Sequence, residues 1–233
     1  MIGRQLDLFG SPARPPLVPL APGAALLPGY ALADADALRD AVAAVAAVSP
    51  FRHMVTPGGF TMSVAMTNCG ALGWVTDRAG YRYAPADPLT GRPWPVIDVQ
   101  LLELAAAAAA TTGFTDFTPD ACLVNLYAPG ARMTLHQDKN ERDFSAPIVS
   151  ISLGLPATFL FGGDDRADKA QRVPLVHGDV VVWGGPSRRR FHGVLPLPSG
   201  AADRQPPSLP SAPFTTLPGP DDVRINLTLR RAG

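Results

Sequence analysis

Apolar residues recur along this chain with two different periods, one near 3.6 and one of two. Leu38, Val42 and Val45 stand at i, i+4 and i+7 behind Asp34 and Asp36, which predicts a capped helix that Pro50 ends. A second helix is expected from about Asp98 to Thr111, where Leu101, Leu102, Leu104 and Ala105 supply an apolar side and Gly113 a stop. Thr61 to Ala65 alternates, with Met62 and Val64 on one side, and Asn68-Cys69-Gly70 reads as a turn toward Trp74 and Tyr81. From Ala121 onward strand signals dominate: Cys122–Tyr127, Pro147–Gly154, Thr158–Phe161, Asp179–Trp183, Phe191–Leu195 and Val223–Leu229, separated by Gly, Pro and Asp. Many short strands with two helices set apart predict a mainly β, α+β chain, a jelly-roll-like double sheet with the helices packed outside it.

Two stretches carry no such period. Residues 1–30 hold Pro12, Pro15, Pro16, Pro19, Pro22 and Pro28 and read as a flexible, extended lead-in to a single domain over 31–233. Pro196 to Pro220 contains eight prolines with Ser, Gly and Ala, and reads as a long surface loop whose composition favours disorder (196–221 at its widest). With 233 residues the chain can bury one sizeable core, and its zero formal net charge leaves no global field to draw it to nucleic acid or membrane. Contact with phosphates must then come from local patches. Two cysteines, Cys69 and Cys122, are too few for a disulfide framework; no signal peptide is evident, and no apolar run approaches the roughly 20 residues of a membrane span. A soluble, cytoplasmic monomer is the expectation.

Chemistry concentrates in three places. His136-Gln137-Asp138 offers an imidazole and a carboxylate at i and i+2, a spacing suited to one side of an extended strand, and His192 follows 56 positions later. Two His and one carboxylate can occupy one triangular face of an octahedral ion and leave the other face open, as an Fe(II) oxygenase requires. The bland alternative is a satisfied surface pair. In Arg224-Ile225-Asn226-Leu227-Thr228-Leu229-Arg230 the alternation is strict: apolar residues face one way, and two Arg, Asn and Thr the other. A solvent-facing strand would give the same pattern; an inward polar face would aim two guanidinium forks at a dicarboxylate. His53 and His177 read as structural.

Several motifs stand in a telling order: Met62-Ser63-Val64-Ala65-Met66-Thr67-Asn68-Cys69-Gly70, Gly73-Trp74, Asn125-Leu126-Tyr127-Ala128-Pro129-Gly130, Leu135-His136-Gln137-Asp138-Lys139, Ser150-Ile151-Ser152-Leu153-Gly154, His177-Gly178-Asp179-Val180-Val181-Val182-Trp183-Gly184-Gly185 and Arg224-X-Asn226-X-Thr228-X-Arg230. Over roughly 50–195 and 222–233 the chain resembles the AlkB family of 2-oxoglutarate- and Fe(II)-dependent DNA-repair dioxygenases. The resemblance implies a double-stranded β-helix core over about 120–233, with an N-terminal nucleotide-recognition lid over about 50–90. It implies His136, Asp138 and His192 as ligands of Fe(II), and Asn125, Tyr127, Arg224, Asn226 and Arg230 around 2-oxoglutarate, with Arg224 on the distal carboxylate. Trp74 would stack the damaged base against His136, Tyr81 would contact the DNA backbone, and Arg166 would line the substrate groove.

The implied reaction is oxidative demethylation of bases of the 1-methyladenine and 3-methylcytosine type, using O2 and releasing succinate, CO2 and formaldehyde. A methyl on a Watson–Crick nitrogen is out of reach inside a duplex, so the substrate would be single-stranded or a flipped base. Asn140 stands where the family's founding member has an aspartate near the exocyclic amine. An amide donates as well as accepts and carries no charge, which predicts a weaker preference for cationic lesions, unless Glu141 or Asp143 supplies the missing charge. Gln5-Leu6-Asp7-Leu8-Phe9 resembles the peptide by which bacterial replication and repair proteins dock on the sliding clamp, the alternative being an apolar staple folded back on the domain. Arg188-Arg189-Arg190, Arg132, Lys139 and Arg142 are candidates for phosphates. Two other functions fit the same residues, an RNA or tRNA demethylase and a catalytically inactive nucleic-acid-binding jelly roll; the second has no use for a diacid clamp.

Overall fold

The computed structural model describes residues 16–198 and 209–233. Along the chain it forms β1 (Val18–Ala21), β2 (Ala24–Leu27), α1 (Ala35–Val48), β3 (Arg52–Val55), β4 (Thr61–Gly70), β5 (Gly73–Asp77), β6 (Gly80–Ala84) and α2 (Val99–Thr111). There follow β7 (Ala121–Tyr127), β8 (Met133–His136), β9 (Ile148–Gly154), β10 (Ala157–Phe161), β11 (Gln171–Leu175), β12 (Val180–Trp183), β13 (His192–Val194) and β14 (Arg224–Arg230). Eight strands make a large antiparallel sheet in the order β1-β2-β12-β9-β14-β7-β4-β3. A smaller sheet has the order β11-β10-β13-β8, and β5 and β6 stand apart as a hairpin. The mainly β jelly roll with helices outside is therefore what the chain adopts.

Period-two alternation places the residues of the large sheet in two cores. One face, with Val124, Leu126, Val149, Ile151, Val180, Ile225, Leu227 and Leu229, packs against Leu38 and Val42 of α1 and Leu101 and Leu104 of α2. The other face, with Met66, Tyr127, Ile148, Val181 and Trp183, meets Phe159, Phe161, Val173 and Val194 of the smaller sheet. All seven residues of β14 are buried, so its polar side faces the space between the sheets and not solvent. That resolves the two readings of the alternation.

Both helices form where the period predicted. Asp98 caps α2 through its side chain, accepting from the Gln100 amide at 2.8 Å. Asp34 precedes α1 without making such a bond. The other differences have local causes. Residues 18–27, expected in a flexible lead-in, form β1 and β2, because Ala24–Leu27 can pair with the otherwise open edge of β12. Asn68-Cys69-Gly70 is not a turn; it continues β4 in register with β7, and the chain reverses after Gly70. The Asn68 side chain instead holds the start of β5, bonding the Trp74 amide and carbonyl at 3.0 Å each. In the proline-rich loop the described part is packed: Phe214 bridges Phe51 by backbone bonds and ring stacking, and Leu209 and Leu217 lie on the helical core. Proline there removes donors without removing apolar anchors.

One glycine lets the smaller sheet close over the site. A Cβ on Gly193 would lie 2.7 Å from the Met133 carbonyl oxygen and 3.1 Å from the Leu135 amide, both backbone atoms that cannot step aside. Gly193→Ala should therefore push β13 off β8 and destabilise the fold by about 1–3 kcal/mol, measurable by urea denaturation. An unchanged midpoint would show that the two strands have slack.

Candidate metal centre and co-substrate pocket

His136 ends β8 and His192 begins β13, and the two are directly opposite each other in the antiparallel pair. The 56-residue gap is thus closed by one rung of the ladder. Asp138 lies outside the strand, contrary to the expectation that it shares a strand face with His136. The reason is the shortness of β13: His136–His192 is the terminal pair, so nothing holds the next residues extended. The Asp138 carboxylate nevertheless turns back between the rings, with Oδ1 3.6 Å from His136 Nε2 and Oδ2 3.7 Å from His192 Nε2. One ligand atom from each of the three lies within 4.8 Å of the others.

The second nitrogen of each ring fixes which atom is free. His136 Nδ1 faces the Thr134 carbonyl at 2.9 Å and His192 Nδ1 the Arg190 carbonyl at 3.0 Å. A carbonyl only accepts, so Nδ1 carries the proton and Nε2 presents its lone pair to the centre. Burial, with His136 alongside, pushes the His192 pKa down to about 4, which keeps its ring neutral at pH 7. Burial would raise the Asp138 carboxyl, but Arg230, both histidines and Arg188 outweigh it and hold the group well below the usual carboxylate range. Two imidazole Nε2 atoms and one carboxylate converge, a donor set that suits a divalent ion.

A narrow inner cavity runs from the two rings toward β7, β9 and β14, lined by Asn125, Tyr127, Arg224, Asn226 and Arg230 among others. The two arginines do different things. Arg230 donates to Asp138 Oδ2 from Nε at 2.9 Å and Nη2 at 2.6 Å. Arg224 is 1% exposed and spends Nη2 on Ser152 Oγ at 2.9 Å, while its Nε and Nη1 have no partner. A buried guanidinium with two idle donors is costly unless an anion completes it. Burial pushes its pKa down to about 10, which still leaves it charged at neutral pH. Asn226 is anchored by Ser150 Oγ at 2.7 Å, and Asn125 Oδ1 is also unpartnered. A ligand with a carboxylate at Arg224 and oxygen donors near the histidines fits these groups.

Beyond the rings an outer cavity of about 410 Å³ opens, with His136 and Arg230 shared between the two cavities. Trp74, Tyr81, Asp138, Asn140 and Arg166 line it with the apolar Met66, Leu123 and Met133. The Trp74 and Tyr81 rings stack at 5.7 Å, and Trp74 Nε1 donates to Asn140 Oδ1 at 3.2 Å. Arg166 is exposed over the Phe191 ring. Neither acid suggested as a substitute for Asn140's missing charge is free. Glu141 is buried against Tyr83 and Arg188, and Asp143 is held by Ser145 and Arg231. The Arg188–Arg190 run splits likewise: Arg188 is buried, bonding the Asp138 and Ala146 carbonyls, and Arg189 is exposed. His53 and His177 make structural bonds, to Met62 O and from the Gly154 amide. Sequence reasoning misses Tyr83 altogether and gives Glu141, Arg188, Ser150 and Ser152 no bond to the metal or pocket side chains, because each acts through a tertiary neighbour far away in sequence.

The chain matches the 2OG-Fe(II) oxygenase superfamily over residues 23–230. It is 53% identical to the alpha-ketoglutarate-dependent dioxygenase AlkB of Salmonella typhimurium, over 97% of this chain and 98% of that protein. It is also 53% identical to the Escherichia coli protein of the same name, over 98% of each. A solved structure described as "The structure of OsALKBH1" superposes with a TM-score of 0.72 at 29% identity, covering 93% of this chain and 100% of the other.

Arg224→Met should leave Mn(II) affinity near wild type while weakening 2-oxoglutarate binding about a hundredfold, since truncating one side of a buried charge pair typically costs about 2–5 kcal/mol. Titration calorimetry separates the two. The unfolding midpoint of the ligand-free variant should not fall, because the lost charge was unsatisfied. A variant that binds 2-oxoglutarate normally would remove Arg224 from the pocket.

Proposed function

We propose that this chain, which belongs to the AlkB family of Fe(II)- and 2-oxoglutarate-dependent dioxygenases, removes N-linked methyl groups from bases in single-stranded or flipped-out DNA. The observation that carries this reading is a single buried cavity with an iron-type donor set at one end and an unpaired guanidinium at the other. When bound, Fe(II) with 2-oxoglutarate and O2 supplies the oxidant, one oxygen atom leaving in succinate and the other on the methyl carbon. The hydroxymethyl product then loses formaldehyde and returns the ring nitrogen to its unmodified state.

The protein's own groups position and exclude. His136, Asp138 and His192 hold the ion; Arg224 pairs the distal carboxylate; Asn125, Tyr127, Asn226 and Arg230 complete the co-substrate pocket. Trp74 offers a ring for base stacking and, for a cationic base, cation–π attraction. Met66, Leu123 and Met133 keep the outer cavity dry around the alkyl group. Tyr81 and Arg166, exposed at its rim, take the backbone. The same reading treats the chain from β1 to β14 as one dioxygenase unit, with β3–β6 as its lid, in a cytoplasmic monomer. No helix among the described residues is long and apolar enough to cross a membrane.

The direct test is product analysis on methylated oligonucleotides. Succinate and formaldehyde should appear together, only with both Fe(II) and 2-oxoglutarate, and faster on DNA than on the matching RNA. Succinate without formaldehyde on every oligonucleotide would contradict base repair, and preference for RNA would move the substrate class.

Two finer expectations follow. With Asn140 uncharged and Glu141 and Asp143 engaged elsewhere, the outer cavity has no free carboxylate there to favour a cationic base. Asn140→Asp should raise kcat/KM for 1-methyladenine and 3-methylcytosine relative to neutral 1-methylguanine by about three- to tenfold, a change near 1 kcal/mol; an unchanged ranking would end the idea. Gln5-Leu6-Asp7-Leu8-Phe9 lies outside the described residues. Its composition supports docking on a bacterial sliding clamp, so the clamp should co-purify with the intact chain and not with Leu8→Ala/Phe9→Ala. Failure of the intact chain to retain the clamp would dismiss docking.

A further inference from the structure

The loop after Asp138 is fastened to the β5–β6 hairpin by two consecutive residues. Trp74 and Tyr83 are directly opposite each other in that hairpin, so their side chains leave the same face. Trp74 Nε1 donates to Asn140 Oδ1 at 3.2 Å, and the Tyr83 hydroxyl donates to Glu141 Oε1 at 2.7 Å. The first contact is exposed and carries no charge. The second reaches a carboxylate whose side chain is 1% exposed.

Around that carboxylate the hydrogen bonds are contested. Arg230 gives Asp138 Oδ2 its two short bonds, yet its Nε is also 3.6 Å from Glu141 Oε1, and its Nη1 reaches the Tyr83 hydroxyl at 3.4 Å. Arg188 Nη2 stands 3.4 Å from Glu141 Oε2, while its Nε and Nη1 are committed to the Ala146 and Asp138 carbonyls. Two guanidinium groups therefore serve two buried carboxylates; Tyr83 is the uncharged donor that satisfies Glu141 Oε1, while Oε2 has only the Arg188 charge near it and no hydrogen bond. Remove its hydroxyl and Glu141 Oε1 loses its closest donor. The next N–H within reach belongs to Arg230, and turning it there loosens its grip on Asp138.

We propose that Tyr83 is a positioning residue for the metal centre: by satisfying Glu141 Oε1, the oxygen nearest Arg230, its hydroxyl keeps Arg230 on Asp138, so that seating the hairpin and orienting the metal's carboxylate are one event. The proposal rests on reading His136, Asp138 and His192 as metal ligands. Its chemistry is distinctive because the harm comes from a carboxylate left in competition, not from a ring left unpacked.

The test uses the full chain with Mn(II) as probe, in wild type, Tyr83→Phe, Glu141→Gln and the double variant. Tyr83→Phe keeps the ring and should weaken Mn(II) binding about tenfold, the range typical of groups that orient a metal ligand. It should also raise succinate formed per formaldehyde on a methylated oligonucleotide. Oligonucleotide affinity of the metal-free protein should stay within about twofold. Adding Glu141→Gln removes the charge that competes for Arg230, so the double variant should recover Mn(II) affinity to within about threefold of wild type. Wild-type Mn(II) affinity in Tyr83→Phe, or a double variant no better than the single, would overturn the proposal. Wild-type protein that fails to bind Mn(II) would overturn the metal reading itself, which separates the two failures.

Discussion

The arrangement depends on keeping one carboxylate charged in a place where water scarcely reaches it. Asp138 sits between two imidazoles with its side chain 9% exposed, and Arg230 holds one of its oxygens by two hydrogen bonds. Breaking a buried pair of this kind by removing one partner typically costs about 3–5 kcal/mol. The fold avoids that cost by bringing β14 under the His136–Asp138 loop, so that a charge needed for the metal is also a structural tie. Arg224, three pleat repeats away on the same strand, has the opposite character. It is buried with donors to spare, and its charge makes sense only when a ligand supplies the anion.

One strand thus does three jobs. The apolar side of β14 seals the helical core, and the polar side lines the inner cavity between the sheets and holds Asp138 through Arg230. A slip of one residue in its pairing with β7 and β9 would exchange the two sides; the register is pinned along the whole strand against β7 and from Arg224 to Leu229 against β9. The smaller sheet then has one task, to bring His192 opposite His136, and the glycine beside His192 makes the approach close enough.

Much of this was legible beforehand, and the misses are instructive. The alternation in Arg224–Arg230 announced a two-faced strand, but period alone does not say whether a polar face meets water or a ligand; only the surrounding sheets decide that. His136 and His192 were legible as residue types, whereas their contact is a long-range pairing. Asp138 was read as strand because i and i+2 share a face, and it escapes because β13 is too short to hold it. β1 and β2 are hidden by Pro19, inside the edge strand β1, and by Pro22 and Pro28 in turns, places where a missing donor does little harm. Tyr83 gives no signal in the sequence, and Glu141 and Arg188 point there to other roles, a charge near the base and a phosphate contact. Each is an ordinary residue whose importance comes from a partner many positions away, and motifs do not encode partners. The resemblance to a known family alone points to Trp74 as a substrate-side candidate, which composition and period leave as a core aromatic.

The central question is where a divalent ion and 2-oxoglutarate settle in this cavity. An anaerobic crystal structure with Mn(II) and 2-oxoglutarate tests that most directly, because manganese scatters anomalously and marks its own position. The expected result is one ion bonded to His136 Nε2, His192 Nε2 and the Asp138 carboxylate, with the far carboxylate of 2-oxoglutarate on Arg224 Nε and Nη1. An ion bound elsewhere, or a co-substrate that leaves the Arg224 donors empty, would contradict it.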